Sequence, residues 1–427
     1  MSNFSPLSNE LTKKLSKSEK KSNGIFFTPY DISRKNINII KSHIDINNIK
    51  NVLEPSCGSC NFIDIIDKEF NNIKITAIEL NTTIFNSINI LSYNNPCVFL
   101  NQDYLKYETT NKYDLIIGNP PYFTLLKKDI TNEEWKKYHN GRPNIFTLFI
   151  LKSLELLSEN GILSFILPNS FNNSYYYNDI RRHIYKNYTI INITDHTDIA
   201  SFKETKQAVS SFIIQNKKPN INPETINTDY TSIFKKEHFN TIIFNDKNKL
   251  KEILSYKENT TTLFDLNCSV STGKIVWNQV KEKLTNNPDD TILIYTRNIV
   301  EKEFKHFELK DACHTKKNYI EKAYINDRNI ELNEPVIVVN RGYGNAKYHF
   351  NYALINLDES YVIENHLIQI KLCNTTITKD EKIKFYEKII TSFNNPKTTK
   401  FIEKYCDNNG LSNNELKNII PIYLTDI

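Results

Sequence analysis

The run Tyr113-Asp114-Leu115-Ile116-Ile117-Gly118-Asn119-Pro120-Pro121-Tyr122-Phe123 decides how this chain folds. Its first half is a short apolar stretch of the kind that forms a buried strand, and its second half cannot continue one. Two consecutive prolines fix the backbone and remove two N–H donors, which leaves carbonyl oxygens pointing outward. The Asn119 side-chain oxygen adds another acceptor beside them, so the turn suits an –NH2 group. A nitrogen conjugated to a ring or a carbonyl is a poor nucleophile because its lone pair is delocalised. Hydrogen bonds from both of its protons draw it towards tetrahedral geometry and free the lone pair to attack an electrophilic methyl. The proton can leave after transfer, so no general base of tuned pKa is required. Tyr122 offers a flat face on which a planar substrate can stack. A Pro-rich loop without chemistry is the bland alternative. The position at a strand's carboxyl end, where doubly wound sheets build their sites, weighs against it.

Outward from this turn, NVLEP (51–55), IKITAIEL (73–80), CVFL (97–100) and GILSFILP (161–168) also read as strands. Each is short, rich in Ile, Val, Leu or Phe, and bounded by turn residues. Helix-like segments lie between them, including Phe62–Phe70, Thr82–Leu91 and Ile145–Leu157. Alternation at this spacing predicts βαβ units and an α/β fold with a doubly wound, mostly parallel sheet. KQAVSSFIIQ (206–215) is expected to add an antiparallel strand at or near the edge. Residues 1–22, rich in Lys and Ser, read as a flexible basic tail, a solvated terminus or a weak phosphate contact. Residues 23–245 form the doubly wound domain. Residues 246–427 change texture to short β-like runs followed by the helical pair DEKIKFYEKIITSF and KTTKFIEKYC, and form a second, α+β domain.

With 427 residues, two or three domains are expected, and 39% hydrophobic content supplies enough apolar area for two cores, which excludes wholesale disorder. A net charge of +5 is compatible with a nucleic-acid partner without requiring one. No stretch approaches the ~18 apolar residues of a spanning helix. The 7 cysteines are odd in number and scattered, which points to a reducing, cytoplasmic setting and not to a disulfide framework. Cys57-Gly58-Ser59-Cys60 has no second ligand pair at zinc spacing, so no metal is expected.

Three further features precede the Asn119 turn. Val52 to Phe62 is a strand, a turn of small residues and a helix start, where backbone N–H groups can face a ligand. Glu79 ends the next strand, about where an acidic residue meets ribose hydroxyls in a nucleotide-binding sheet. Asp103-Tyr104 follows the third strand and could hold an adenine amino group beside an aromatic wall.

In this order, residues 24 to 215 resemble the catalytic domain of adenine-N6 DNA methyltransferases of the γ arrangement, restriction-modification methylases whose target-recognition domain is C-terminal. The resemblance implies S-adenosyl-L-methionine as cofactor and a Rossmann-like fold. Gly24-Ile25-Phe26-Phe27-Thr28-Pro29 resembles the family's opening motif, in which Thr28 would contact the cofactor's carboxylate end. Glu54, Ser56, Cys57 and Gly58 would surround the methionine moiety. Glu79 and Leu80 would meet the ribose and adenine, and Asp103 and Tyr104 would clamp the adenine. Asn119 and Pro120 would accept the target amine, with Tyr122 stacking on the base. Ser201 to Lys206 resembles the late motif, in which Phe202 would cover the flipped base and Lys206 lie near its edge; alone, Phe202 reads equally well as a core aromatic. The chain departs from the pattern at Cys60, where the family has Gly.

The C-terminal part resembles, more loosely, target-recognition domains, through Thr272-Gly273, Trp277-Asn278, Arg341-Gly342-Tyr343-Gly344, Glu364-Asn365-His366 and Ile420-Pro421-Ile422. Arg297, Arg328 and Arg341 are the candidates for DNA contact, each with a surface salt bridge as the ordinary alternative. His366 reads as a packed histidine. The implied partner is double-stranded DNA, with room for a separately encoded restriction endonuclease acting on the same site. One catalytic and one recognition domain suffice for a monomer. An N5-glutamine protein methyltransferase or an RNA methyltransferase would use the same turn, and a decayed, non-catalytic DNA binder is the third reading. Asn287-Pro288-Asp289-Asp290 begins like a nuclease metal motif, but no E-x-K follows closely.

Overall fold

The computed structural model describes residues 4–197, 208–220, 228–306, 317–342, 348–374, 376–406 and 410–424. Seven strands among them build one sheet: β1 (Asn51–Glu54), β2 (Lys74–Ile78), β3 (Cys97–Leu100), β4 (Tyr113–Gly118), β5 (Leu157–Pro168), β6 (Thr189–Asp195) and β7 (Val209–Gln215). Their spatial order is β3-β2-β1-β4-β5-β7-β6. The first five run parallel, while β7 lies antiparallel to β5 and β6 antiparallel to β7. The order reverses between β1 and β4, so the loops leaving their carboxyl ends part and open a crevice. Successive side chains go to opposite faces: Val52, Leu115 and Ile117 into one core layer, Leu53, Ile116 and Leu163 into the other. Burial on both faces is why these strands read as nearly continuous apolar runs.

The stretch expected to be a loose tail is instead two helices, Pro6–Lys14 and Lys17–Asn23, which corrects that expectation. Ser5 accepts from the Ser8 N–H with Pro6 in the first turn, and Ser16 accepts from the Glu19 N–H. Leu7, Leu11 and Leu15 recur every fourth residue and pack on the first core layer, Leu11 and Leu15 fully buried. A helical stripe decided the structure where average composition suggested none.

By internal packing the chain divides into two units, Met1–Ile233 with Thr241–Leu250, and Phe234–Asn240 with Lys251–Ile427. In the second, Cys268–Thr272, Leu367–Leu372, Val336–Asn340 and Tyr352–Ile355 form an antiparallel sheet. A smaller sheet contains the parallel pair Thr291–Ile294 and Tyr361–Ile363. The helices Lys379–Asn394 and Pro396–Cys406 follow. No described helix is long and apolar enough to cross a membrane.

Candidate functional site

A cavity of about 360 Å³ lies in the crevice. Its walls come from Asn23–Phe27 after the second helix, Pro55, Ser56 and Gly58 after β1, and Glu79–Thr82 after β2. Gln102–Tyr104 after β3, Asn119, Pro121 and Phe123 after β4, and Ile145 and Phe149 complete it. Ser56, Gly58, Glu79, Leu80, Asp103, Tyr104 and Asn119 are thus brought together, although they span more than sixty positions of sequence.

Glu79 ties two of these loops. Its Oε2 accepts from the Gly58 N–H at 2.9 Å and its Oε1 from the Asn81 N–H at 2.8 Å. Burial pushes its carboxyl up to about 7, against the pull of these N–H groups. Leu80 beside it is 64% exposed, an apolar side chain left uncovered at the cavity wall. Asp103 caps the turn Tyr104–Lys106 through its Oδ1, 2.9 Å from the Leu105 N–H. Tyr104 is buried, bonded through its hydroxyl to Ser153 and tilted against Phe149 with ring centroids 4.9 Å apart.

Other residues expected at the cofactor stand behind the wall. Thr28 is buried, and its carbonyl accepts from Asn61 Nδ2 at 2.7 Å. Glu54 is buried below the cavity with Oε2 unpartnered among the described residues, and burial raises its pKa well above the usual range. The Cys57 thiol is likewise buried and shifted up, which makes it a poor nucleophile. Cys60 is fully buried in the left-handed region, at φ 61°, and caps the helix Asn61–Glu69. Glycine adopts this conformation without cost, whereas a Cβ there costs about 1 kcal/mol.

The Asn119–Tyr122 turn is held from three sides. Asn119 Nδ2 donates to the Phe26 carbonyl at 3.0 Å, and its backbone carbonyl accepts from Ser56 Oγ at 3.1 Å. The Tyr122 hydroxyl lies 2.6 Å from Asn119 Oδ1 and 2.8 Å from the Ile166 carbonyl, and its one proton can serve either acceptor. Pro120 is buried, and the half-buried Tyr122 ring packs edge-on against Phe146. Phe123, which the sequence reading did not single out, reaches the cavity wall. Gln102, Asn81, Ile84 and Phe149 were also missed; all but Phe149 sit within four residues of a strand-end motif, and Phe149 follows Ile145 by one helical turn. Phe202 and Lys206 lie outside the described residues.

In the second unit, Arg297 follows the strand Thr291–Ile294, and Arg341 is bonded through its N–H to the His366 carbonyl, just past the parallel strand Tyr361–Ile363. Both arginines are exposed at the same end of that strand pair. Arg328 is exposed but stands by the opposite end, stacked on Tyr324 at 3.7 Å. The short C-terminal motifs converge: a Cβ on Gly273 would lie 2.3 Å from the Glu364 carbonyl, and the Asn365 N–H donates to the Ile275 carbonyl. His366 Nδ1 pairs with the buried Glu364 carboxylate, a packing role.

The donor set suits S-adenosylmethionine. Carboxylates at Glu79 and Asp103 can receive hydroxyl or amino protons, and Leu80, Ile84, Ile145 and Phe149 offer apolar surface to an adenine ring. Strand order, crevice and donors together define an S-adenosylmethionine-dependent methyltransferase. Residues 25–202 match the Eco57I restriction-modification methylase family. Type II methyltransferase M.CvrRI of Paramecium bursaria Chlorella virus XZ-6E is 29% identical, over 98% of this chain and 99% of its own length. Type II methyltransferase M.AccI of Acinetobacter calcoaceticus is 34% identical, over 43% of this chain and 35% of its own. Modification methylase CviBIII of Paramecium bursaria Chlorella virus NC1A is 31% identical, over 50% and 55%. Among solved structures, the modification subunit of a putative type I restriction enzyme from Vibrio vulnificus YJ016 aligns with 59% of this chain and 55% of that one, at a TM-score of 0.40 and 16% identity. The matched segment and these relatives make the chain similar to restriction-modification methylases.

Proposed function

We propose that this chain is a sequence-specific DNA methyltransferase that methylates N6 of an adenine rotated out of duplex DNA. The observation that carries the reading is the orientation of Asn119. Its –NH2 is committed to the Phe26 carbonyl, so its Oδ1 is turned to an exchangeable donor, the Tyr122 hydroxyl. An incoming amine can take that place, because the hydroxyl keeps the Ile166 carbonyl as its acceptor. With the Pro120 carbonyl as second acceptor, both amine protons are held and the nitrogen lone pair turns towards the cofactor cavity. The cofactor, when bound, supplies an electrophilic sulfonium methyl. Glu79, Leu80, Asp103 and Tyr104 would hold its nucleoside, and the turn from Ser56 to Gly58 its amino-acid end. Tyr122 would stack on the extruded base, whose removal from the duplex costs a few kcal/mol. Arg297 and Arg341 would meet DNA from one end of the second unit's strand pair, and residues 251–427 would supply target recognition.

The test is methyl transfer from labelled S-adenosylmethionine to duplex DNA, wild type beside Asn119→Ala, with product nucleosides resolved by mass. N6-methyladenine from wild type and not from the variant is the expected result. Label appearing in RNA or protein instead, or at another atom of DNA, would sink the assignment.

A further inference from the structure

Between the Asn119–Tyr122 turn and the helix Ile145–Leu156, nineteen residues leave the sheet and return, from Leu125 to Pro143. The neck of this excursion is a short ladder. Thr124 bridges Asn144, the Leu125 N–H donates to the Pro143 carbonyl at 2.8 Å, and the Ile145 N–H to the Phe123 carbonyl at 2.9 Å. Phe123 and Ile145 both line the cavity, so the neck stands at its rim.

The flap has a small core of its own, Ile130 and Trp135 packed on Leu148 and Leu151. Trp135 Nε1 donates to Glu155 at 2.7 Å. The buried His139 bonds the Trp135 carbonyl and the Thr147 hydroxyl through its two ring nitrogens. A flap built this firmly displays its surface side chains from a fixed platform.

Its cations fall into two groups. Lys136 and Lys137 are neutralised by Glu133 and Glu134 at 2.5 and 2.8 Å, and Lys127 donates to the His139 carbonyl. Lys128 and Arg142 are exposed and have no side-chain partner among the described residues. The cavity wall contains no Lys or Arg among those residues, and its charged groups, Glu79 and Asp103, are acids. A polyanion drawn to this rim must therefore be met from outside the cavity.

We propose that Lys128 and Arg142 bind the DNA phosphates flanking the extruded nucleotide, with the flap acting as a backbone clamp on the catalytic unit itself. The proposal rests on duplex DNA being the substrate. Phosphate contacts of this kind set position without reading sequence. Each releases condensed counterions and steepens the fall of affinity with salt, by about 0.9 in the slope of log K against log [salt].

The experiment measures equilibrium binding of a short mixed-sequence duplex over a salt series, for wild type, Lys128→Ala, Arg142→Ala and the already neutralised Lys137→Ala. Affinity for S-adenosylhomocysteine serves as the check of folding. Lys128→Ala and Arg142→Ala should each lower the slope by about one and weaken binding several-fold at low salt, with cofactor affinity and the Lys137→Ala slope unchanged. Duplex binding with wild-type slopes in both variants would overturn the clamp and leave the DNA reading standing. Equal loss in all three variants would overturn the selective role of the unpaired pair. Failure of the wild type to bind any duplex would overturn the substrate reading as well.

Discussion

Glu79 gives the protein a pH dependence whose sign differs between folding and cofactor binding. Burial raises its pKa from 4.5 to about 7. An unfolded chain would ionise this carboxyl near 4.5, so between there and 7 the folded protein holds a proton that the unfolded one has lost. Its contribution to stability therefore falls as pH rises through that window, by up to about 3 kcal/mol at ~1.36 kcal/mol per unit. Cofactor binding should move the other way, because an ionised carboxylate is the better acceptor for ribose hydroxyls. Near pH 6 only about one molecule in ten carries the charge, so the apparent Kd should be about tenfold weaker there than near pH 8, and level above that. Calorimetric titration with S-adenosylhomocysteine, run beside denaturant melts of the free protein over the same buffers, reads both signs. Glu79→Gln should bind weakly at every pH and flatten the profile, since its –NH2 must face the Gly58 or the Asn81 N–H, now satisfied by the carboxylate. A wild-type affinity that stays level from about pH 6 to 8, or a Glu79→Gln protein that keeps the slope, would refute the assignment of Glu79 to the ribose.

Three further perturbations have expected outcomes. Gly24 sits at φ 62°, and a Cβ there would lie 2.7 Å from the Tyr122 backbone nitrogen, so Gly24→Ala adds about 1 kcal/mol of strain and pushes the cavity wall from the Asn119–Tyr122 turn; thermal melts should shift down and cofactor titrations weaken several-fold. Glu19 accepts from Asn81 Nδ2 at 2.8 Å and latches the second helix to the Glu79 loop, so Glu19→Ala should speed cofactor release about fivefold in stopped flow, with Glu19→Gln close to wild type. Arg181 is fully buried and donates to the carbonyls of Phe171, Ser174 and Ile242, so Arg181→Met should lower the free energy of unfolding by ~3 kcal/mol or more, read from urea melts; a loss under ~1 kcal/mol would count against that bonding.

The parallel strands were legible because burial on both faces removes polar residues from them, and their parallel direction followed from alternation with helices, while their spatial order was not read. β6 was missed for the converse reason: at the sheet edge only Ile193 is fully buried, and its Thr and Asn residues dilute the apolar signal. The N-terminal helices were missed because the Lys and Ser between Leu7, Leu11 and Leu15 masked the period, although Ser5-Pro6 and Ser16 with Glu19 mark their starts. In the site, Ser56, Gly58, Glu79, Asp103 and Asn119 could be read because each lies at a strand end, where the fold dictates convergence. Which atoms meet could not be read. The Tyr122 hydroxyl finds Ile166 only because β5 lies beside β4, and Glu54, alike in type to Glu79, ends beneath the cavity because the β1 side chain at that register turns inward. Local sequence names the donors; register decides which of them face the ligand.

On the proposed reading, the strap of residues before β1 would let one turn serve both substrates. Asn119 cannot rotate its amide without breaking its bond to the Phe26 carbonyl, so the direction of Oδ1 is set by the strap and not by the turn that carries it. The same strap provides the cavity wall from Asn23 to Phe27, is latched to the Glu79 loop through Glu19, and is pinned to the loop after β1 by Ser8 and Ser59, 2.7 Å apart. Gly24 brings it within van der Waals reach of the Tyr122 backbone. Whatever seats the strap therefore fixes two things at once, the cavity wall from Asn23 to Phe27 and the direction of Asn119 Oδ1, which on the proposed reading would enclose the cofactor and accept the target amine. A reaction without a tuned base would depend on orientation alone, and that orientation is held by a segment distant in sequence that a cofactor in the cavity would also touch. Filling the cavity before the base arrives would then present the amine with an acceptor already aligned, which favours cofactor binding as the first step.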